Sequence, residues 1–132
     1  MQAEEAAFLR LRSRGRTLRF YEAGKPVIPD DDRVPQTSFE SKDARYIWWE
    51  LELKYPATQT RIDFRLHAIY INGDDQVIFE DDFDTAAQAG WDHSHHTKGY
   101  GWEEPGHWPK GNYRVEIYAG RRMIASNGFS VR

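Results

Sequence analysis

Cysteine is absent from the sequence, which at once removes a disulfide framework, a thiol nucleophile and a thiolate zinc or iron–sulfur centre. Long apolar runs are absent as well. No stretch approaches the roughly 18 residues that a membrane-spanning helix needs, so membrane insertion is not expected. The start of the chain carries no signal-like apolar core: Met1 to Ala7 is polar and acidic, and Phe8-Leu9-Arg10-Leu11-Arg12 is broken by arginine. A cytoplasmic location is the expectation. Nor is there a surplus of positive charge. Lys plus Arg number 18 against 21 Asp plus Glu, a net charge of −3, so nucleic acid is not expected as a partner.

What is present is a sizeable apolar fraction and many aromatic rings. Hydrophobic residues make up 39% of the chain against 30% charged, which is enough to build a core rather than a disordered tail. The 132 residues suffice for one domain and not for two. Aromatic residues reach 14%, with five Trp beside five His, and their placement is the question to follow.

Residues 1–15 read as an N-terminal helix or linker. Glu4 to Arg12 are helix formers with acids first and arginines last, as the helix dipole prefers, and Gly15 is a plausible stop. The arginines at 10, 12, 14, 16 and 19 are read as a solvated face rather than a nucleic-acid arm. Residues 16–132 then change to a period of two. Thr17 to Ala23 is a first strand, and Pro26 to Gln36, with three prolines and Asp30-Asp31-Asp32, is a loop. Ala44 to Tyr55 alternates most cleanly: Ile47, Trp49, Leu51, Leu53 and Tyr55 on one face, Tyr46, Trp48, Glu50, Glu52 and Lys54 on the other. Arg61 to Ile71 repeats this, Asn72-Gly73 supplies a turn with positive φ, and Val77 to Glu80 returns as the hairpin partner. Asp81 to Gly90 is short of strand signals, with one helical turn expected at Thr85 to Ala89. Asn112 to Ala119, Arg122 to Ser126 and the pair Phe129/Val131 complete about six to seven strands with no helix between them. The expected fold is all-β, an antiparallel β-sandwich.

The ending Trp108-Pro109-Lys110-Gly111-Asn112-Tyr113-Arg114-Val115, followed by Gly120, Phe129 and Val131, resembles the closing hairpin of bacterial immunoglobulin-like and fibronectin-type modules. The resemblance implies an immunoglobulin-like topology, with Tyr113 as a corner tyrosine bonding back to nearby backbone. The chain differs from antibody-type domains in lacking both cysteines.

The segment Gly90 to Gly111 holds four of the five His and three of the five Trp. It is read as a glycine-laced loop region in which Trp91, Trp102 and Trp108 plug the open end of the sandwich and the histidines satisfy backbone groups. Two functional readings stand beside that one. A metal centre would draw on His93, His95, His96 and His107, although no recognised ligand spacing is present and no cofactor is expected. Catalysis would use Ser94 with His95 or His96 and Asp92, but no nucleophile-elbow or phosphate-loop signature accompanies them, and an enzyme is disfavoured. The acids Asp74, Asp75, Glu80, Asp81, Asp82 and Asp84 lack the spacing of a calcium loop and are read as solvated charge guarding a sheet edge. Tyr46 and Trp48, on the polar face of their strand, are either covered by the chain's own loop or helix or exposed to a partner. The leading expectation is a non-catalytic recognition or accessory module, associated with a larger bacterial protein. It would bind a protein partner through Tyr46, Trp48, Trp91, His95, His96, Tyr100, Trp102 or Trp108. A carbohydrate-binding module using exposed Trp and Tyr, and a metal-binding protein using the histidines, are the alternatives.

Overall fold

The computed structural model describes residues 3–132. In chain order the elements are helix α1 (Ala3–Leu9) and strands β1 (Gly15–Ala23), β2 (Ser38–Phe39), β3 (Tyr46–Lys54), β4 (Ile62–Ile71), β5 (Val77–Ala87), β6 (His93–Gly101), β7 (Gly111–Ala119) and β8 (Arg122–Val131). They form two sheets, ordered β1-β3-β6 and β2-β8-β7-β4-β5. Every pairing is antiparallel except that of the two-residue β2 with β8.

The alternation read from the sequence decides which faces meet. Ile47, Trp49, Leu51 and Leu53 of the smaller sheet share one buried cluster with Leu66, Ala68 and Tyr70 of β4, Val115 and Ile117 of β7, and Phe129 of β8. Burying each such side chain contributes about 1.5–3 kcal/mol, so this shared core is the main source of stability. Tyr70 crosses it, its hydroxyl donating to the Ile47 carbonyl at 2.7 Å and tying β4 to β3 across the two sheets. Helix α1 adds Phe8, and the turn after it adds Leu11, both sealed into the same cluster. Phe8 meets Phe64 edge-on at 5.8 Å.

Several local expectations are corrected. The helix ends at Leu9, not near Gly15: Leu11 and Arg12 donate to the carbonyls of Phe8 and Leu9 in a tightened last turn, and Arg12 takes a positive φ of 57°. Gly15 opens β1 instead. The β4–β5 hairpin forms, but positive φ falls on Asp75 (62°), because Asn72 Oδ1 accepts from the backbone N–H groups of both Asp74 and Gln76 and so shapes a longer turn. Strand β5 runs on to Ala87, absorbing the segment expected to lack strand and to hold a helical turn. Its acids are paired across the sheet, Asp84 with Arg65 at 2.6 Å and Asp82 with His67 at 2.8 Å, while Lys98 of β6 reaches Asp81 at 2.5 Å.

The largest correction concerns Gly90 to Gly111. Nine of its 22 residues, His93 to Gly101, are not loop but β6, in register with β3 from Lys54↔His93 to Tyr46↔Gly101. Gly99 shows why glycine occurs there: a Cβ would lie 2.6 Å from the Trp48 indole. Gly99→Ala is expected to force that ring or the strand to move and to destabilise the fold by about 1–3 kcal/mol, read as a fall of several degrees in Tm with the β signal in circular dichroism retained.

Candidate functional site

The outer face of the smaller sheet presents Tyr46, Trp48, Glu50 and Glu52, yet Trp48 is only 5% exposed and Glu50 only 2%. The chain covers them itself. After β1, residues 24–36 fold back as a strap across that face. Trp48 Nε1 donates to the Gly24 carbonyl at 3.0 Å, its indole stacks on Tyr21 at 5.9 Å, and Ile28 packs on the pair. The far end of the strap is fixed by charge. Arg33 Nη1 donates to Glu50 Oε2 at 2.5 Å, Arg33 Nε donates to the Ile28 carbonyl, and the guanidinium lies over the Tyr21 ring. Arg19 Nε takes the other Glu50 oxygen at 2.6 Å. Burial pushes the Glu50 carboxyl up, but the Arg33 and Arg19 hydrogen bonds outweigh it and hold its pKa below the usual range. Trp48 is therefore interior packing rather than an open platform, and of the outward aromatics on this strand only Tyr46 stays half-buried.

Beside the strap lies a cavity of about 480 Å³ lined by Asp30, Arg33, Trp91, Asp92, His93 and His95. Trp91, expected to plug the sandwich, is 46% exposed on its rim. His95 sits between two carboxylates, with Nε2 3.2 Å from Glu52 Oε2 and Nδ1 3.7 Å from Glu50 Oε1. Asp30, Glu50 and His95 bring ligand atoms within 4.8 Å of one another. The positive charge such a group would attract is already supplied by guanidinium, since Arg33 also holds Asp30 at 2.5 Å. The histidine set proposed for a metal is not assembled: His96 faces the core, His93 pairs with Asp92 at 2.7 Å, and His107 lies against Trp102 beyond the other end of β6.

Ser94 and His96 share the inward face of β6, and Ser94 Oγ lies 2.7 Å from His96 Nε2. Behind the imidazole stands not a carboxylate but the Thr85 hydroxyl, 2.8 Å from Nδ1. Both members of the pair are buried, and burial, with a smaller push from His95, lowers the His96 pKa to about 4. A neutral imidazole with both nitrogens engaged links β6 to β5 across the edges of the two sheets. Asp92, the carboxylate expected to orient it, bonds His93 instead.

The remaining candidates gather at one end of the sheets. Tyr100, Trp102, Trp108 and Tyr113 line a cavity of about 430 Å³ with the Asn72–Asp74 turn, Lys110 and Asn112. Its floor is rigid. Trp108, 1% exposed, donates from Nε1 to the Arg45 carbonyl at 2.8 Å, and Ser41 Oγ donates to the Trp108 carbonyl at 2.7 Å. Tyr113 Oη donates to the Pro109 carbonyl at 2.5 Å, the corner contact that the resemblance implied. Tyr100 stacks on Phe79 at 4.3 Å. Above this floor Tyr100 and Trp102 are half-buried, with ring centroids 5.5 Å apart. Of the expected residues, then, Tyr100, Trp102 and Trp108 come together, Trp91 and His95 share the second cavity, and Trp48 and His96 are internal. Sequence reasoning did not assign Asn72, Asp74, Lys110 and Asn112 to this site. Asn72 and Gly73 were visible only as a turn, and nothing local places that turn against Trp102.

No family model matches the chain, and no curated protein matches it. Among solved structures, the chain is similar in fold to an immunoglobulin-like protein of Pseudomonas aeruginosa, at 19% identity and a TM-score of 0.46, covering 89% of this chain and 92% of that one. It is also similar to the alkylpurine DNA glycosylase AlkC of Pseudomonas fluorescens, in a structure bound to DNA containing an abasic site analog, at 11% identity and a TM-score of 0.48. That match covers 73% of this chain and 27% of the glycosylase. The architecture rests on the strand order and pairing described above.

Two predictions follow the buried polar groups. Glu50→Gln leaves the Arg33 guanidinium with only the solvent-exposed Asp30 as counter-charge and should cost about 1–3 kcal/mol in urea unfolding, whereas Arg19→Ala, at the exposed end of the same network, should cost under about 1 kcal/mol. Below pH 6.5 the unfolded chain protonates the His96 side chain while the folded one resists until about pH 4. That contribution to stability is complete above pH 6.5 and lost towards pH 4, a loss of order ~2 kcal/mol between pH 7 and 5. Urea midpoints of His96→Asn should lack this part of the pH dependence.

Proposed function

We propose that the protein is a non-catalytic recognition module, an immunoglobulin-like β-sandwich that takes a protein partner at the Tyr100–Trp102–Trp108 end cavity. The observation that carries this reading is the pairing of a rigid aromatic floor with half-buried rings whose polar groups are unspent. Among the described residues, no hydrogen bond engages Trp102 Nε1, Tyr100 Oη, the side chains of Lys110 and Asn112, or the Asp74 carboxylate, while Trp108 and Tyr113 below them are fully committed. Aromatic anchors held in place before binding, with free donors around them, are the usual composition of a binding hot spot. One other feature supports recognition over catalysis: the Ser94–His96 pair is buried without a carboxylate. No helix among the described residues is long and apolar enough to cross a membrane.

Complete covering of Trp102 or Tyr100 would contribute about 1.5–3 kcal/mol each. In affinity capture from an extract of the native host, Trp102→Ala should lose a partner protein that the wild type retains, with Tm unchanged to within a few degrees. Equal recovery by the two proteins would overturn the assignment, as would a glycan-array signal that depends on Trp102.

A further inference from the structure

We infer that the segment taken by the end cavity is an extended, proline-rich stretch in the polyproline II conformation; this rests on the reading of the cavity as the partner site. The side chains of the cavity lean towards hydrogen-bond donors. Trp102 Nε1 and the Lys110 ammonium are donors only, and Tyr100 Oη and the Asn112 amide donate as well as accept. Asp74 is the single acceptor-only side chain on the rim. The carbonyls of Arg45 and Pro109 beside the cavity are already used by Trp108 Nε1 and Tyr113 Oη. An ordinary extended peptide brings one N–H per residue, for which the side chains here offer the Asp74 carboxylate, Tyr100 Oη and the Asn112 carbonyl oxygen. A proline-rich segment has carbonyls to offer and almost no N–H groups, so it matches a donor-rich wall.

Trp108 is sealed at the base, at 87° to Trp102 and 83° to Tyr100. The two rings that stay partly open, Tyr100 and Trp102, are tilted at 55° to each other, so they form no continuous two-ring platform for a sugar chain. Steep aromatic edges form ridges and notches, which suit a compact pyrrolidine ring and the three-residue turn of polyproline II. Both partners are rigid before they meet. The floor is pinned by the bonds of Trp108 and Tyr113, and a polyproline segment is extended before it binds, so little conformational entropy is lost on association.

The test is a titration of ¹⁵N-labelled protein with decaproline, and separately with cellohexaose, following the Trp102 indole N–H and the backbone amides of Lys110 and Asn112. Saturable shifts confined to the cavity with decaproline, and none with cellohexaose, are expected. Trp102→Phe keeps a ring and removes the donor, and should weaken decaproline binding about fivefold, the value of one hydrogen bond. Three results would overturn the inference: no shift at millimolar decaproline, shifts with cellohexaose instead, or undiminished decaproline binding by Trp102→Phe. A failure of decaproline alone leaves the reading of the cavity as the partner site standing, and that reading fails separately if partner capture is indifferent to Trp102→Ala; shifts with cellohexaose would overturn both.

Discussion

The carboxylate of Glu50 sits at the middle of β3, on the face that alternation would turn to water, and both its oxygens are held by guanidinium groups arriving from outside the strand. One of these, Arg33, belongs to the strap of residues 24–36 and is itself buried. Taking a carboxylate and a guanidinium out of water costs several kcal/mol, which the pair offsets only if its geometry is close and its remaining valences are filled. Here they are: Arg33 also bonds Asp30 and the Ile28 carbonyl and lies on Tyr21. The charge pair anchors one end of the strap and the Trp48–Gly24 bond the other, so the outer face of the smaller sheet is internal to the fold. Two consequences follow for function. The Tyr46/Trp48 face is not free for a partner, and the aromatic surface left partly open lies at the Trp102 end and at Trp91.

The same strategy recurs elsewhere at smaller scale. Polar side chains elsewhere are also paired, and some of the pairs join elements that backbone hydrogen bonds do not join. Tyr70 bonds the Ile47 carbonyl across the core, and Thr85 and Ser94 hold His96 between β5 and β6. Lys98 reaches Asp81 along the same pair of edges, and Arg65 and His67 neutralise the acids of β5. The fold does without disulfides because these pairs and a continuous core close the gaps between the two sheets. At the Trp102 end, among the described residues, the side-chain polar groups of Tyr100, Trp102, Lys110 and Asn112 make no hydrogen bond.

How much of this is legible in the sequence depends on whether a segment's neighbours are apolar. Strands β3 and β4 are readable because their inward positions are Ile, Leu, Trp and Phe in strict alternation. Strand β6 is not, because its two buried positions are Ser94 and His96, whose hydrogen bonds come from each other and from Thr85. The second half of β5 is hidden for a related reason: its acids are satisfied by Arg65, His67 and Lys98 on neighbouring strands, which no local propensity records. The closing hairpin and the Tyr113 corner are visible because turn and strand chemistry coincide there. Of the site, the aromatic members Tyr100, Trp102 and Trp108 are visible from composition, whereas Asn72, Asp74 and Asn112 join them only through the pairing of β4 with β7.

One aromatic surface is closed by the strap and another is left open at the end of the sheets. Solvent exchange of the individual indole N–H protons measures this directly. The indoles of Trp48 and Trp108, bonded to the Gly24 and Arg45 carbonyls, should exchange slowly, and that of Trp102 rapidly. Exchange of Trp48 as fast as that of Trp102 would mean that the strap does not cover the sheet, and would return the Tyr46/Trp48 face to the candidate surfaces.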